Sequence, residues 1–273
     1  MSAIPLAGVI GCPVAHSRSP VLHGTWLRQY GIQGHYVPLH IEADDLERAL
    51  RAMPVMGFVG ANVTLPHKEA ALALADEVTS AARMIGAANT LSFRDGRIHA
   101  DNTDAYGFIE NLRAGAQADF SAPALVLGAG GAARAVIVAL AQAGVPEIRL
   151  VNRTRARAES LAADLSDCPV LVLDWADRAA AADGAGLLVN TTSLGMASAP
   201  PLDYPAAAMR PGMVVTDIVY TPLDTPLLRD ARAQGCVTVD GLGMLLHQAV
   251  PGFERWFGQR PEVTGALRRA VLA

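Results

Sequence analysis

Four short runs of hydrogen-bonding residues interrupt the apolar first half of the chain: Gly11-Cys-Pro-Val-Ala-His-Ser17-Arg-Ser19-Pro20, Asn62-Val-Thr64-Leu-Pro-His-Lys68, Gly86-Ala-Ala-Asn89-Thr90 and Asp101-Asn102-Thr103-Asp104. Ser19 reads as the N-cap of a helix whose first residue is Pro20. Capping alone explains one serine, whereas two hydroxyls at the positive end of a helix also make a seat for a carboxylate. Asn62 and Thr64 alternate onto one face at the end of an apolar run. Lys68 then follows a proline turn that can aim it back toward them. A lysine opening a helix is ordinarily a solvated charge, but four polar clusters at element boundaries in one half-chain argue for more than turn chemistry. Hydroxyls, amides and an ammonium of this kind fit many hydroxy acids.

A second chemistry lies farther along. Gly128-Ala129-Gly130-Gly131-Ala132-Ala-Arg134 directly follows the apolar run Ala124–Leu127 and opens a helix. Glycines there let backbone N–H groups and the helix N-terminus approach a pyrophosphate, although a tight turn without a ligand has the same local form. The next apolar run ends at Val151, where an enzyme using NAD places an acidic residue for the ribose 2′-hydroxyl. This chain has Asn152-Arg153-Thr154-Arg155-Ala-Arg157 instead. Guanidinium groups and a hydroxyl would bind a 2′-phosphate that a carboxylate would repel, so the expected cofactor is NADP. A solvated helix start is the plainer reading of these arginines, but cations in a first turn oppose the helix dipole.

These residues need elements to position them, and apolar runs alternate with amphipathic stretches in βα order. The pattern predicts strands at Leu6–Ile10, Gly34–Leu39 and Phe58–Val63, with helices over Pro20–Tyr30, Ala43–Met53 and Lys68–Asp76. A second series predicts strands at Ala124–Leu127, Glu147–Val151, Val170–Leu173, Leu187–Asn190, Val214–Ile218 and Cys236–Val239. Its helices are expected over Ala132–Ala143 and Ala156–Leu165. Helical patterns over Asp104–Ala118 and Met244–Phe257 flank this series. The expected architecture is therefore α/β with two domains: a discontinuous substrate domain on a mostly parallel sheet (residues 1–104 plus 243–273) and a Rossmann-type NADP domain (residues 105–242).

Composition agrees with a compact fold: of 273 residues, 51% are apolar and 18% charged, the balance of a globular chain rather than a disordered one. A net charge of −4 and a pI near 6.0 offer no basic face for nucleic acid or a membrane. Cys12, Cys168 and Cys236 are too few and scattered for a disulfide framework, and no C-x-x-C pair suggests zinc, so no metal is expected. The opening Met1-Ser-Ala-Ile-Pro-Leu-Ala-Gly8 lacks the flank and apolar run of a secretion signal, and no apolar stretch of about 18 residues exists to span a bilayer. The expectation is a cytoplasmic monomer or homodimer acting on a small molecule.

Gly11–Pro20, Asn62–Lys68, Gly86–Leu91, Asn102–Asp104, the glycine loop, Asn152–Thr154 and Asp240-Gly241-Leu-Gly243-Met-Leu-Leu-His-Gln248 together resemble the motif series of the shikimate dehydrogenases, in that family's order and over nearly the whole chain. The resemblance implies reversible reduction of 3-dehydroshikimate to shikimate with NADPH, within aromatic amino-acid biosynthesis. It implies that Ser17 and Ser19 hold the substrate carboxylate, that Asn62, Thr64, Asn89 and Gln248 hydrogen-bond the ring hydroxyls, and that Lys68 and Asp104 form the catalytic pair while also touching substrate. Tyr220 matches a position near the carboxylate. Thr191, Ile218 and Gly241 join Gly128, Ala129, Gly130, Gly131, Ala132, Asn152, Arg153, Thr154 and Arg157 as cofactor-binding positions. Gly24, Ala100 and Ala105 depart from the residues common in relatives, none at a position given a polar role. Two rivals stand beside this reading: a quinate/shikimate dehydrogenase using NAD, opposed by the missing acid after Val151, and a non-catalytic sensor of the same fold, which would be expected to have lost Lys68 or Asp104.

Overall fold

The computed structural model describes residues 4–273; residues 1–3, the start of the first expected domain, lie outside the described residues. The chain divides into two compact units, one formed by the residues up to Thr103 together with Gln248–Ala273, the other by Asp104–His247.

The first unit holds strands β1 (Leu6–Gly11), β2 (His35–His40), β3 (Phe58–Val63), β4 (Glu77–Val78), β5 (Thr90–Arg94) and β6 (Arg97–Asp101), in the sheet order β2-β1-β3-β5-β6-β4. Helices α1 (Ser19–Gln29), α2 (Leu46–Ala52), α3 (Lys68–Ala73) and α4 (Ser80–Ile85) connect them. β1 runs parallel to β2 and β3, but β5 is antiparallel to both β3 and β6. That reversal is a hairpin closed by Asp95-Gly96, whose φ values of 52° and 73° meet the demand of a two-residue primed turn for two positive-φ positions. An expectation of plain βα alternation passes over this hairpin, although the Asp-Gly pair that makes it stands in the sequence.

Three local expectations are corrected. The helix after β1 begins at Ser19 rather than Pro20, because Arg18 already has helical backbone angles (φ −84°, ψ −7°) and takes the N-cap position; Ser19 is therefore not the cap. The Ala43–Met53 stretch is a one-turn 3-10 segment at Ala43–Asp45 followed by α2. α3 ends at Ala73 instead of Asp76, since the Asp76 N–H donates to Ile98 O (2.9 Å) and its carboxylate accepts from the Ile98 N–H (2.7 Å), leading the chain onto β6.

The second unit opens with α5 (Asp104–Gly115) and carries strands β7 (Ala124–Leu127), β8 (Ile148–Val151), β9 (Val170–Leu173), β10 (Leu187–Asn190), β11 (Val214–Asp217) and β12 (Val237–Val239), with helices α6 (Gly131–Gln142), α7 (Arg155–Asp164) and α8 (Pro226–Ala233). All six strands are parallel in the order β12-β11-β10-β7-β8-β9. Counted from β7, this reads 6-5-4-1-2-3, the doubly wound order of dinucleotide-binding sheets, with its switch point between β7 and β10. Every residue of β7 and β10 is buried, as a parallel sheet covered on both faces requires.

α9 (Leu242–Phe257) begins in the second unit and enters the first at Gln248; α10 (Gly265–Leu272) ends the chain. Within the first unit, the Trp256 indole donates to Leu91 O (3.0 Å). Gly60 makes that bond possible, because a Cβ there would overlap both the indole nitrogen and the carbonyl. Among the described residues no helix is long and apolar enough to cross a membrane.

Candidate active site

The substrate-side residues stand where the strands of the first sheet end. Ser17 lies between β1 and α1 and Ser19 is the first residue of α1; the Ser19 N–H donates to Ser17 Oγ (3.3 Å). Ser17 thus takes the local backbone bond, while the Ser19 side chain is buried at the first helical position. Asn62 is the next-to-last residue of β3, Thr64 lies just beyond its end, and Lys68 is the first residue of α3, half-buried.

A hydrogen-bonded network joins three of the four sequence clusters. The Asn62 amide donates to Asn89 O (3.1 Å) and Thr90 Oγ1 (3.2 Å), and the Asn89 amide donates to Gln248 Oε1 (3.3 Å). Asn89 Oδ1 accepts from the Thr103 N–H (2.9 Å) and from Thr90 Oγ1 (2.9 Å). The Ala88 N–H donates to Lys68 O (2.9 Å), which pins the start of α3 to the Asn89 segment. Asn62, Asn89, Thr90, Thr103 and Gln248 are all buried, so these partners satisfy groups that would otherwise be costly to hold out of water.

Sequence reasoning missed what holds Asn62. The buried Tyr36 hydroxyl donates to Asn62 Oδ1 (2.7 Å), and the Tyr36 ring stacks on His23 at 4.0 Å. Burial lowers the His23 pKa to about 3, so this imidazole is neutral throughout the physiological range. Tyr36 leaves no trace in motif spacing; alternation along β2 alone places it inward. Replacing Tyr36 with phenylalanine leaves the buried Asn62 Oδ1 without this donor, with an expected loss of about 1–3 kcal/mol of folding stability. Denaturant unfolding checks this, and an unchanged midpoint would show that Asn62 does not depend on the hydroxyl.

In the second unit the glycine loop has the form its sequence predicts. Gly128 has φ +106° and its N–H donates to Val151 O (2.8 Å); a Cβ there would overlap Thr191 and Thr192. The Thr191 hydroxyl donates to Leu127 O (2.8 Å), tying the end of β10 to that of β7 at the switch point. Gly130 is the extended N-cap of α6, and around Gly130 and Gly131 no atom lies in the space a side chain would fill. The first-turn N–H groups of α6 therefore face an open approach beside Ala129 and Ala132, a cradle fitted to a pyrophosphate.

After β8, the Asn152 amide donates to Thr154 O (2.8 Å) and shapes the turn into α7. Thr154 is the N-cap of α7, but its side chain makes no capping bond. The three arginines are not equivalent. Arg155 is committed to Glu159 (2.7 Å) and Asp174 (2.9 Å), which explains a cation at the start of this helix. Arg153 and Arg157 are exposed and make no ion pair among the described residues. They, with the Thr154 hydroxyl, are the groups suited to a 2′-phosphate.

Ile218 follows β11, and Gly241 packs so closely on it that a Cβ would overlap Ile218 O. Tyr220 lies just beyond, half-buried, and Asp104 is the first residue of α5. Lys68 and Asp104 thus belong to different units, as do Tyr220 and the pair Ser17 and Ser19. Asp217, at the end of β11, carries no sequence signal. Its carboxylate accepts from the Asn190 amide (2.9 Å), the Val219 N–H (3.0 Å) and the Thr225 hydroxyl (2.8 Å). Burial outweighs these donors and pushes its pKa from 3.8 up to about 6. The folded state therefore binds this proton more tightly than the unfolded state. The resulting stability is full below about pH 4 and lost as pH rises through about 6. Asp217→Asn should flatten the fall in stability between those limits, by about 3 kcal/mol at most. Parallel pH-dependent unfolding curves for variant and parent would contradict it.

Comparison with known proteins adds an independent line. Three family models match the chain: the shikimate dehydrogenase substrate binding domain over residues 9–91, shikimate / quinate 5-dehydrogenase over residues 114–196, and the shikimate 5′-dehydrogenase C-terminal domain over residues 241–272. The chain is 63% identical over 273 residues to a shikimate dehydrogenase (NADP(+)) of Paracoccus denitrificans, covering 98% of this chain and 96% of that one. Among solved structures it resembles the shikimate 5-dehydrogenase of Thermus thermophilus in complex with NADP(H) and shikimate, with a TM-score of 0.86, 41% identity and coverage of 98% of this chain and 100% of that one. It also resembles the quinate dehydrogenase of Corynebacterium glutamicum in complex with NAD, with a TM-score of 0.92, 32% identity and coverage of 98% and 99%.

Proposed function

The chain belongs to the shikimate dehydrogenase family, and we propose that it catalyses the reversible, NADP-dependent reduction of 3-dehydroshikimate to shikimate, a step of aromatic amino-acid biosynthesis. We assign the first unit to the substrate and the second to the cofactor. The observation that carries this reading is the buried Asn62–Asn89–Gln248 network, anchored to the first residue of α3 where Lys68 stands. Amides fixed in this way present donors and acceptors in a constant geometry to a ring bearing several hydroxyls.

Ser17 and Ser19 bind the carboxylate at the N-terminal end of α1, where the helix dipole favours an anion. Asn62, Thr64, Asn89 and Gln248 orient the ring through its hydroxyls, and Tyr220 closes on the carboxylate end. Lys68 stabilises negative charge developing on the ketone oxygen and, with Asp104, supplies the proton that oxygen must take up. The Gly128–Ala132 loop holds a pyrophosphate, and Asn152, Arg153, Thr154 and Arg157 hold a ribose 2′-phosphate, with Thr191, Ile218 and Gly241 completing the cofactor site. Bound there, NADPH supplies the hydride.

The absence of a carboxylate after β8 argues against NAD, and the presence of both Lys68 and Asp104 argues against a sensor without chemistry. Initial rates measured side by side, shikimate with NADP against quinate with NAD, test the assignment. The expected outcome is a much larger kcat/KM for the first pair; a larger value for the second would reassign the chain to quinate oxidation.

A further inference from the structure

Away from the amide network, three side chains of a different character converge. β1 and β2 are neighbouring parallel strands with Gly11 opposite His40, so the residues just past their ends are brought side by side. Cys12 follows β1, His40 ends β2 and Glu42 lies two residues farther on. Cys12 Sγ is 3.7 Å from His40 Nε2 and 3.3 Å from Glu42 Oε2, and His40 Nε2 is 3.1 Å from Glu42 Oε1. A tetrahedral ion with bonds of about 2.3 Å to sulfur and about 2.0–2.2 Å to nitrogen and oxygen sets its ligand atoms about 3.4–3.6 Å apart. The two Glu42 contacts are made by different carboxylate oxygens; with one atom taken from each residue, the three ligand atoms lie within 4.8 Å of one another, near enough for rotation of the exposed side chains to bring them to that spacing.

The backbone beneath them is fixed independently of the side chains. The Cys12 N–H donates to Leu65 O (3.2 Å), and the Ile41 N–H donates to Gly11 O (3.4 Å). Ile41 O, between the two β2-end ligands, is 2.7 Å from Nε2 of the buried His67. The His40 and Glu42 side chains are themselves more than half exposed, which leaves an ion free to enter and a coordination position open to water.

We propose that Cys12, His40 and Glu42 form a three-ligand site for a divalent thiophilic metal ion, zinc by ligand type, which ties the segment leading to Ser17 and Ser19 to the end of β2. Thiolate, imidazole and carboxylate are the ligands zinc accepts, and a fourth position left to water completes the tetrahedron. Binding replaces the thiol proton of Cys12 with the metal and releases that proton to solvent. A sequence search for paired cysteines does not find such a site, because strand pairing, not local spacing, assembles it.

The test uses the full chain, first stripped with a chelator and then titrated with Co²⁺ as a spectroscopic stand-in for Zn²⁺. The expected result is one Co²⁺ per chain with a near-ultraviolet thiolate-to-cobalt band that Zn²⁺ displaces. Cys12→Ser should abolish the band, and His40→Ala should weaken Zn²⁺ binding at least about tenfold, in the range of a lost metal-site contact; Cys168→Ser should change neither. Absence of the band in the parent chain, its survival in Cys12→Ser, or its loss in Cys168→Ser would overturn the proposal.

Discussion

Replacing Lys68 with alanine is expected to lower turnover by a factor on the order of 10² or more, the scale of general acid–base catalysis, while leaving shikimate binding nearly intact. The split between the two effects follows from how the surroundings are built. The Lys68 carbonyl, not its ammonium, accepts from the Ala88 N–H, so the junction of α3 with the Asn89 segment survives truncation. Asn62, Asn89 and Gln248 are held by one another, by Thr90 and Thr103, and by Tyr36. The substitution leaves these named bonds in place, so under the proposed reading most of the binding surface should persist while the ammonium's part in turnover is lost. Steady-state kcat, read with a separate shikimate titration, checks both parts. Equal turnover in variant and parent would take Lys68 out of the chemistry.

Arg153→Ala should raise KM for NADP about 10–100-fold more than KM for NAD, the range given by losing a hydrogen bond to a charged group worth about 1.5–3 kcal/mol. Arg155→Ala supplies the contrast. Its guanidinium already serves Glu159 and Asp174, so its loss should move the ratio of the two KM values much less. A ratio unchanged by Arg153→Ala, or shifted more by Arg155→Ala, would place the phosphate contact elsewhere in the turn after β8.

The parts of this molecule that sequence exposes are those decided locally. Apolar runs such as Phe58–Val63, Val170–Leu173 and Leu187–Asn190 are strands with those very limits; Leu187–Asn190 is buried throughout, as a parallel sheet covered on both faces requires, whereas Val170–Leu173 keeps its apolar run as the partly exposed edge strand β9. The glycine loop is equally local: Gly128 must take a positive φ between a strand and a helix. What sequence hides depends on long-range partners. Ser19 looks like a helix cap until Arg18 takes that place. Arg155 looks like a phosphate ligand until β9 delivers Asp174 beside it. Tyr36 looks like one more strand aromatic until β3 brings Asn62 beneath its hydroxyl. The same holds for Cys12, His40 and Glu42, which the pairing of β1 with β2 gathers from separate segments. Motifs thus mark the groups that would touch ligands, while the residues that orient or compete with them come from the packing of distant strands.

The central claim is that this chain passes a hydride from NADPH to a hydroxylated ring ketone acid, and absorbance at the NADPH band tests it most directly. Adding 3-dehydroshikimate to the full chain with NADPH should give a rapid loss of absorbance, and the same mixture with NADH a loss slower by about tenfold or more, the factor set by the 2′-phosphate contacts. No loss with either cofactor, or a faster loss with NADH, would contradict the account.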